Sequence, residues 1–152
     1  MLKYYNYDIV CQEIPDEITL AINITGCPNH CLGCHSPWLW KDIGEPLNKK
    51  SMHSIIDKYA SDITCICFMG GDQMPKEIEQ LAELVRTTWP SLKTAWYSGR
   101  NKLPDGFGYA LFNFVKTGPY IESLGGLRSS KTNQRLYKIS SEGLLQKIIF
   151  HT

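Results

Sequence analysis

The sequence predicts an α/β protein built on a mainly parallel sheet, and three observations carry that prediction. β-branched and apolar runs alternate along the chain with stretches whose apolar residues recur at helical spacing. Each strand-like run stops at a short Gly- or Ser-containing turn. Finally, 152 residues, of which 43% are hydrophobic and 20% charged, suffice for one core and are too few for two, so residues 1–152 are expected to form a single domain. Strands alternating with helices join through right-handed crossovers, and ligands of such sheets lie outside the strands' carboxyl ends.

The elements follow in order. Residues 17–25, Glu-Ile-Thr-Leu-Ala-Ile-Asn-Ile-Thr, are β-branched and apolar enough for a strand, and they run directly into a cysteine-rich loop. From Ser51, placed as a helix cap, Met52, Ile55, Ile56, Tyr59 and Ala60 keep helical spacing. A second strand, Ile63 to Met69, ends in Gly70-Gly71-Asp72. Pro75 suits a first helical turn; Ile78, Leu81, Ala82, Leu84 and Val85 then give one apolar face, and Pro90 stops the helix. Thr94 to Tyr97 reads as a third strand closed by Ser98-Gly99, the stretch Lys102 to Gly108 as loop, and Leu111 to Lys116 as a fourth strand ending in Thr117-Gly118-Pro119. Arg135 to Ile139, with period-two patterning, adds a fifth. Four strand ends thus carry the polar punctuation, and they converge on one rim.

A formal net charge of +1 supplies neither an overall basic footprint for nucleic acid nor a polybasic block for a membrane. Met1 to Val10 holds no uninterrupted apolar run, so neither a signal peptide nor a spanning helix is expected, and the expected location is the cytoplasm. Six cysteines without a secretion signal fit a reducing compartment and a metal site better than a disulfide framework. Cys65 and Cys67, at i and i+2 of the apolar run 63–69, read as small hydrophobes of a buried strand, and neither is a candidate ligand.

Cys27, Cys31 and Cys34 stand together in Gly-Cys-Pro-Asn-His-Cys-Leu-Gly-Cys-His, residues 26–35, at the spacing CxxxCxxC. Three thiolates on one tight loop hold three irons of a [4Fe-4S] cube and leave the fourth iron without a protein ligand, whereas electron-carrying clusters normally use four cysteines. A structural zinc site made of the same thiolates and either His30 or His35 is the competing arrangement. Zinc modules usually present two separated ligand pairs, and no second pair is present.

The cysteine loop at the end of the first core strand, followed by Gly70-Gly71-Asp72, resembles the signature of radical S-adenosylmethionine enzymes. The resemblance implies that Cys27, Cys31 and Cys34 bind a [4Fe-4S] cluster whose fourth iron takes the amino and carboxylate groups of S-adenosylmethionine. One electron from the reduced cluster then cleaves the sulfonium, and a 5′-deoxyadenosyl radical abstracts a hydrogen atom. Gly70 and Gly71, lacking Cβ atoms, let backbone groups approach the cofactor's amino group, and Asp72 can accept a charge-assisted hydrogen bond from it. Tyr4 to Asp8, Cys31 to Pro37, Trp96 to Arg100, Val115 to Tyr120 and Thr132 to Arg135 extend the likeness over residues 4–139, to the activating proteins of anaerobic ribonucleoside-triphosphate reductases.

What that family implies is an incomplete β/α barrel, an oxidoreductase that leaves a glycyl radical on the reductase's large subunit, and an electron donor such as flavodoxin. Gly33, Cys34 and His35 would flank the cofactor. Two departures from the wider superfamily stand out. Gly33 occupies the often aromatic position before the third cysteine, with a ring following as His35, and the usual Gly-Gly-Glu reads Gly-Gly-Asp. His35 either contacts the cofactor or caps loop backbone; His30 reads as structural or solvent-facing. Ser98, at the end of a strand on the rim, reads equally as a cofactor contact or a turn residue; Lys116 and Tyr120 are rim residues without an assignable task, Asn133 to Arg135 have no assignable role, and Trp38, Trp40, Trp89 and Trp96 read as core or interface. An activase of another glycyl radical enzyme, such as pyruvate formate-lyase, is the alternative within the class; a zinc-binding or electron-transfer module is the alternative outside it.

Overall fold

The computed structural model describes residues 1–11, 14–26, 43–101, 106–119, 121, 123–124, 127, 129–140 and 145–148. In chain order these form β1 (Lys3–Val10), β2 (Thr19–Ile24), β3 (Glu45–Pro46), α1 (Lys49–Tyr59), β4 (Cys65–Met69), α2 (Pro75–Thr88), β5 (Lys93–Tyr97), a 3₁₀ turn (Tyr109–Leu111), β6 (Phe114–Thr117), β7 (Arg135–Ile139) and β8 (Leu145–Ile148). Among them the strands make one mixed sheet in the order β3-β1-β2-β4-β5-β6-β7-β8. Its centre, β2-β4-β5-β6, is parallel, while β1 and β3 on one flank and β7 and β8 on the other pair antiparallel.

Side chains alternate across the strands and divide the interior in two. Leu20, Ile22, Ile24, Ile66, Phe68, Trp96 and Val115 face Ile55 and Ile56 of α1 and Ile78, Leu81, Ala82 and Val85 of α2 in the larger core. Both helices therefore lie on one side of the sheet. Cys65, Cys67, Ala95, Tyr97, Phe114 and Leu136 make a second cluster with Ile14 on the other side. The alternation reading of Cys65 and Cys67 holds, since both are fully buried in β4.

Two expected boundaries shift for local reasons. Ser51 is not the cap of α1; Asn48 is, its side chain accepting from the Ser51 N–H at 3.0 Å while Ser51 Oγ accepts from the Asn48 N–H at 2.8 Å. That reciprocal capping box places the helix start two residues earlier than Ser51. The fourth strand begins at Phe114 rather than Leu111, because the chain first closes a 3₁₀ turn in which Leu111 N–H donates to Gly108 O at 3.0 Å. This turn carries Phe112 into the core, where it stacks on Phe107 with centroids 5.5 Å apart, beside Trp96.

β1 occupies a pivotal place in the sheet. It lies between β2 and β3, and Tyr4 pairs with Ile24 on one side and Glu45 on the other. Thr25 N–H donates to Lys3 O at 2.9 Å and Leu47 N–H donates to Leu2 O at 2.8 Å. Among the described residues no helix is long and apolar enough to cross a membrane.

Candidate functional site

Because β2, β4, β5 and β6 run parallel, their carboxyl ends fall on one rim: Thr25-Gly26, Gly70 to Gln73, Ser98 to Arg100, and Gly118. This brings together the strand ends that the sequence marks with glycine and polar residues. Cys27, Cys31 and Cys34, together with His30, Gly33, His35, Trp38, Trp40 and Tyr120, lie outside the described residues. The structure describes the residues that flank the cysteine segment in sequence.

Those flanks are tightly bonded. Thr25 Oγ1–H donates to Ile43 O at 2.6 Å, joining the residues just before and just after the segment 27–42. Gln73 Nε2–H donates to Thr25 O at 2.8 Å, so the turn after β4 also holds the exit of β2. Gly26 has a φ of +73°, a left-handed conformation open to glycine at no steric cost, and it directs the chain into Cys27.

Gly70 and Gly71 also have positive φ, 108° and 91°. A Cβ on Gly71 would stand 2.6 Å from Ile78 Cδ1, and one on Gly70 would stand 3.2 Å from Ile24 O, so both glycines let the turn sit close against β2 and α2. Their polar atoms are engaged within the fold: Trp96 Nε1–H donates to Gly70 O at 2.6 Å, and Met74 N–H donates to Gly71 O at 3.0 Å. A carbonyl oxygen keeps a second lone pair in such an arrangement.

Asp72 is 3% exposed, and its carboxylate is the hub of the rim. Ser98 Oγ–H donates to Oδ1 at 2.5 Å and Gly99 N–H to Oδ2 at 2.8 Å, which ties the end of β4 to the end of β5. Next along, the Lys116 ammonium, 9% exposed, donates to Ser98 O at 2.9 Å and Gly118 O at 3.1 Å and lies 5.8 Å from the centre of the Tyr97 ring. Gly118 N–H donates to Arg100 O at 2.6 Å, and Gln134 Nε2–H to Gly118 O at 3.4 Å. A buried anion and a buried cation thus bracket Ser98, and continuous hydrogen bonding runs from β2 to β7. The tasks of Ser98, Lys116 and Gln134 at this rim were not legible beforehand. Only the sheet order shows that residues so far apart in sequence meet.

The remaining cysteines are unsuited to a cluster at this rim. Burial, reinforced by the nearby Glu17 charge, pushes the Cys65 thiol up to about 12, so it stays protonated. Cys67 Sγ packs 3.4 Å from Met69 Sδ. Cys11 follows the end of β1, which pairs antiparallel with β2 and so lies toward the opposite rim.

A family model described as a 4Fe-4S single cluster domain matches residues 18–101, more than half of the chain. The chain belongs to this family. No curated protein and no solved structure matches the chain. The matched span of the 4Fe-4S single cluster domain opens with β2, takes in the whole cysteine segment and ends just past the Asp72–Ser98 link. The donor set suits the cluster. Cys27, Cys31 and Cys34 follow in sequence from a left-handed glycine at the rim, in the segment whose flanks Thr25 and Ile43 join, and the other thiols are buried away from that rim or follow the far end of β1. Three protein thiolates on a [4Fe-4S] cube leave one iron open.

Proposed function

We propose that this iron–sulfur protein is a radical S-adenosylmethionine activase that generates a glycyl radical on an anaerobic ribonucleotide reductase. The observation that carries the reading is adjacency. The exit of β2 into the cysteine triplet and the Gly70-Gly71-Asp72 turn of β4 are neighbours on one rim, linked by the 2.8 Å bond from Gln73 to Thr25. A carboxylate and glycines beside an open iron are what a zwitterionic amino-acid moiety needs.

When bound, the cluster and S-adenosylmethionine supply the one-electron chemistry and the hydrogen abstraction. The chain's own part is binding, orientation and exclusion of water. Cys27, Cys31 and Cys34 hold the cluster, Gly70, Gly71 and Asp72 seat the methionine moiety, and Gly33, Cys34 and His35 flank the nucleoside. Asp72 performs its part from a fixed position, since Ser98 and Gly99 already orient both of its oxygens. A carboxylate has about four acceptor sites, and Ser98 and Gly99 take one on each oxygen. In this reading the eight-stranded sheet is an incomplete β/α barrel, and its open rim receives the glycine loop of the reductase's large subunit.

The test is anaerobic incubation of the cluster-loaded chain with the reductase, S-adenosylmethionine and reduced flavodoxin, with electron resonance of the partner as readout. A glycyl radical doublet is expected. A colourless protein with one zinc per chain, or a reduced cluster whose signal is unchanged by S-adenosylmethionine, would overturn the proposal.

A further inference from the structure

The geometry points to Gln73 as the positioning residue for the iron–sulfur loop: its side-chain amide braces the Thr25–Gly26 peptide from which Cys27 leaves the rim. The inference rests on the cluster reading and needs no assumption about S-adenosylmethionine. Gln73 Nε2 donates to Thr25 O at 2.8 Å. The same nitrogen would lie 3.0 Å from a Cβ on Gly26, so the amide and the bare glycine fit face to face. Gly26 adopts a φ of +73°, and a change there would swing the direction in which Cys27 starts. Gln73 is itself held from behind, because it follows Asp72, whose two oxygens are fixed by Ser98 and Gly99. The amide therefore transmits the position of the Gly70–Asp72 turn to Gly26, the residue that precedes Cys27 in the sequence. Residues that orient ligands without touching the metal affect its retention. Because coupling between two sites is reciprocal, the loaded loop also steadies the turn.

The test uses the anaerobically loaded full chain with three substitutions. Gln73→Glu keeps the shape but replaces the donor with an acceptor facing Thr25 O, Gln73→Met removes hydrogen bonding, and Gln73→Lys keeps a donor of similar reach. Release of iron to a chelator is expected to be about fivefold faster in the Glu and Met variants, the factor that one net hydrogen bond supplies. The reduced cluster's electron resonance line shape is expected to shift with it, the Lys variant to return to within about twofold of the parent, and the melting temperature of the metal-free chain to fall by no more than the roughly 2–4 °C that one hydrogen bond supplies. A Glu variant that holds its iron like the parent, or a Lys variant that loses it as fast as Glu, overturns the assignment. A parent chain that takes up no [4Fe-4S] cluster at all overturns the cluster reading itself, an outcome distinct from either.

Discussion

Replacing Asp72 with Asn separates the two tasks assigned to this carboxylate, holding the rim and seating a ligand. The side chain is 3% exposed and accepts from Ser98 Oγ and Gly99 N–H on different oxygens. Asparagine has one acceptor oxygen and presents an NH2 group at the other position. If the oxygen stays with Gly99, the amide nitrogen faces Ser98 Oγ, which already accepts from Arg100 N–H at 3.1 Å, and the serine proton loses its acceptor. One charge-assisted hydrogen bond is lost at a buried site, about 1.5–3 kcal/mol. At roughly 2–4 °C per kcal/mol for a chain of this size, the melting temperature is expected to fall by about 3–12 °C. The assay is thermal unfolding of the metal-free chain by circular dichroism at pH 7, so no bound group contributes. Asp72→Ala, which deprives both donors, is expected to fall further. An Asn variant melting within about 1 °C of the parent would refute the hub role, because a buried, hydrogen-bonded carboxylate cannot be neutralised at no cost.

Four other outcomes are expected. Gly71→Ala should destabilise the chain by about 2–4 kcal/mol in urea unfolding, combining the left-handed backbone with the overlap on buried Ile78. Asn48→Ala should lose about 1 kcal/mol with the capping box of α1, and Asn48→Asp should retain most of it. Cys65, held protonated to about 12 against an ordinary thiol value of 9.0, should resist alkylation in the folded chain at pH 8 while exposed Cys11 reacts. The sign of its pH effect follows: above about pH 9 the unfolded chain releases a proton that the folded chain keeps, so stability declines toward pH 12 and is insensitive to this group below pH 9. Urea midpoints against pH, flatter above pH 9 in Cys65→Ala, check it.

The parallel centre of the sheet was legible because Ile22, Phe68 and Trp96 sit in runs whose apolarity and β-branching leave few other states. β1 was not, since Lys3–Val10 mixes tyrosines with polar residues and its register shifts between Tyr4 and Asn6, which blurs the period-two signal. β3, with two residues, carries no pattern at all. For the site, the cysteines and Gly70-Gly71-Asp72 announce themselves through local chemistry, whereas Gln73 and Lys116 do not. Their partners, Thr25, Ser98 and Gly118, are chosen by strand order, a property of the whole chain that no short window contains.

The pairing of β1 with both β2 and β3 bears on what happens when iron is absent. The two flanks of segment 27–42 are splinted to adjacent residues, Leu2 to Tyr4, at the start of β1. Closing a loop of this length costs about 2.5 kcal/mol of chain entropy, and the sheet supplies that closure by joining the two flanks of the segment, so cluster binding need not supply it. Small zinc folds, by contrast, come apart without their ion. The contacts that join the flanks of the segment come from backbone and from Thr25, none of them a cluster ligand, so the scaffold is expected to outlast loss of the cluster.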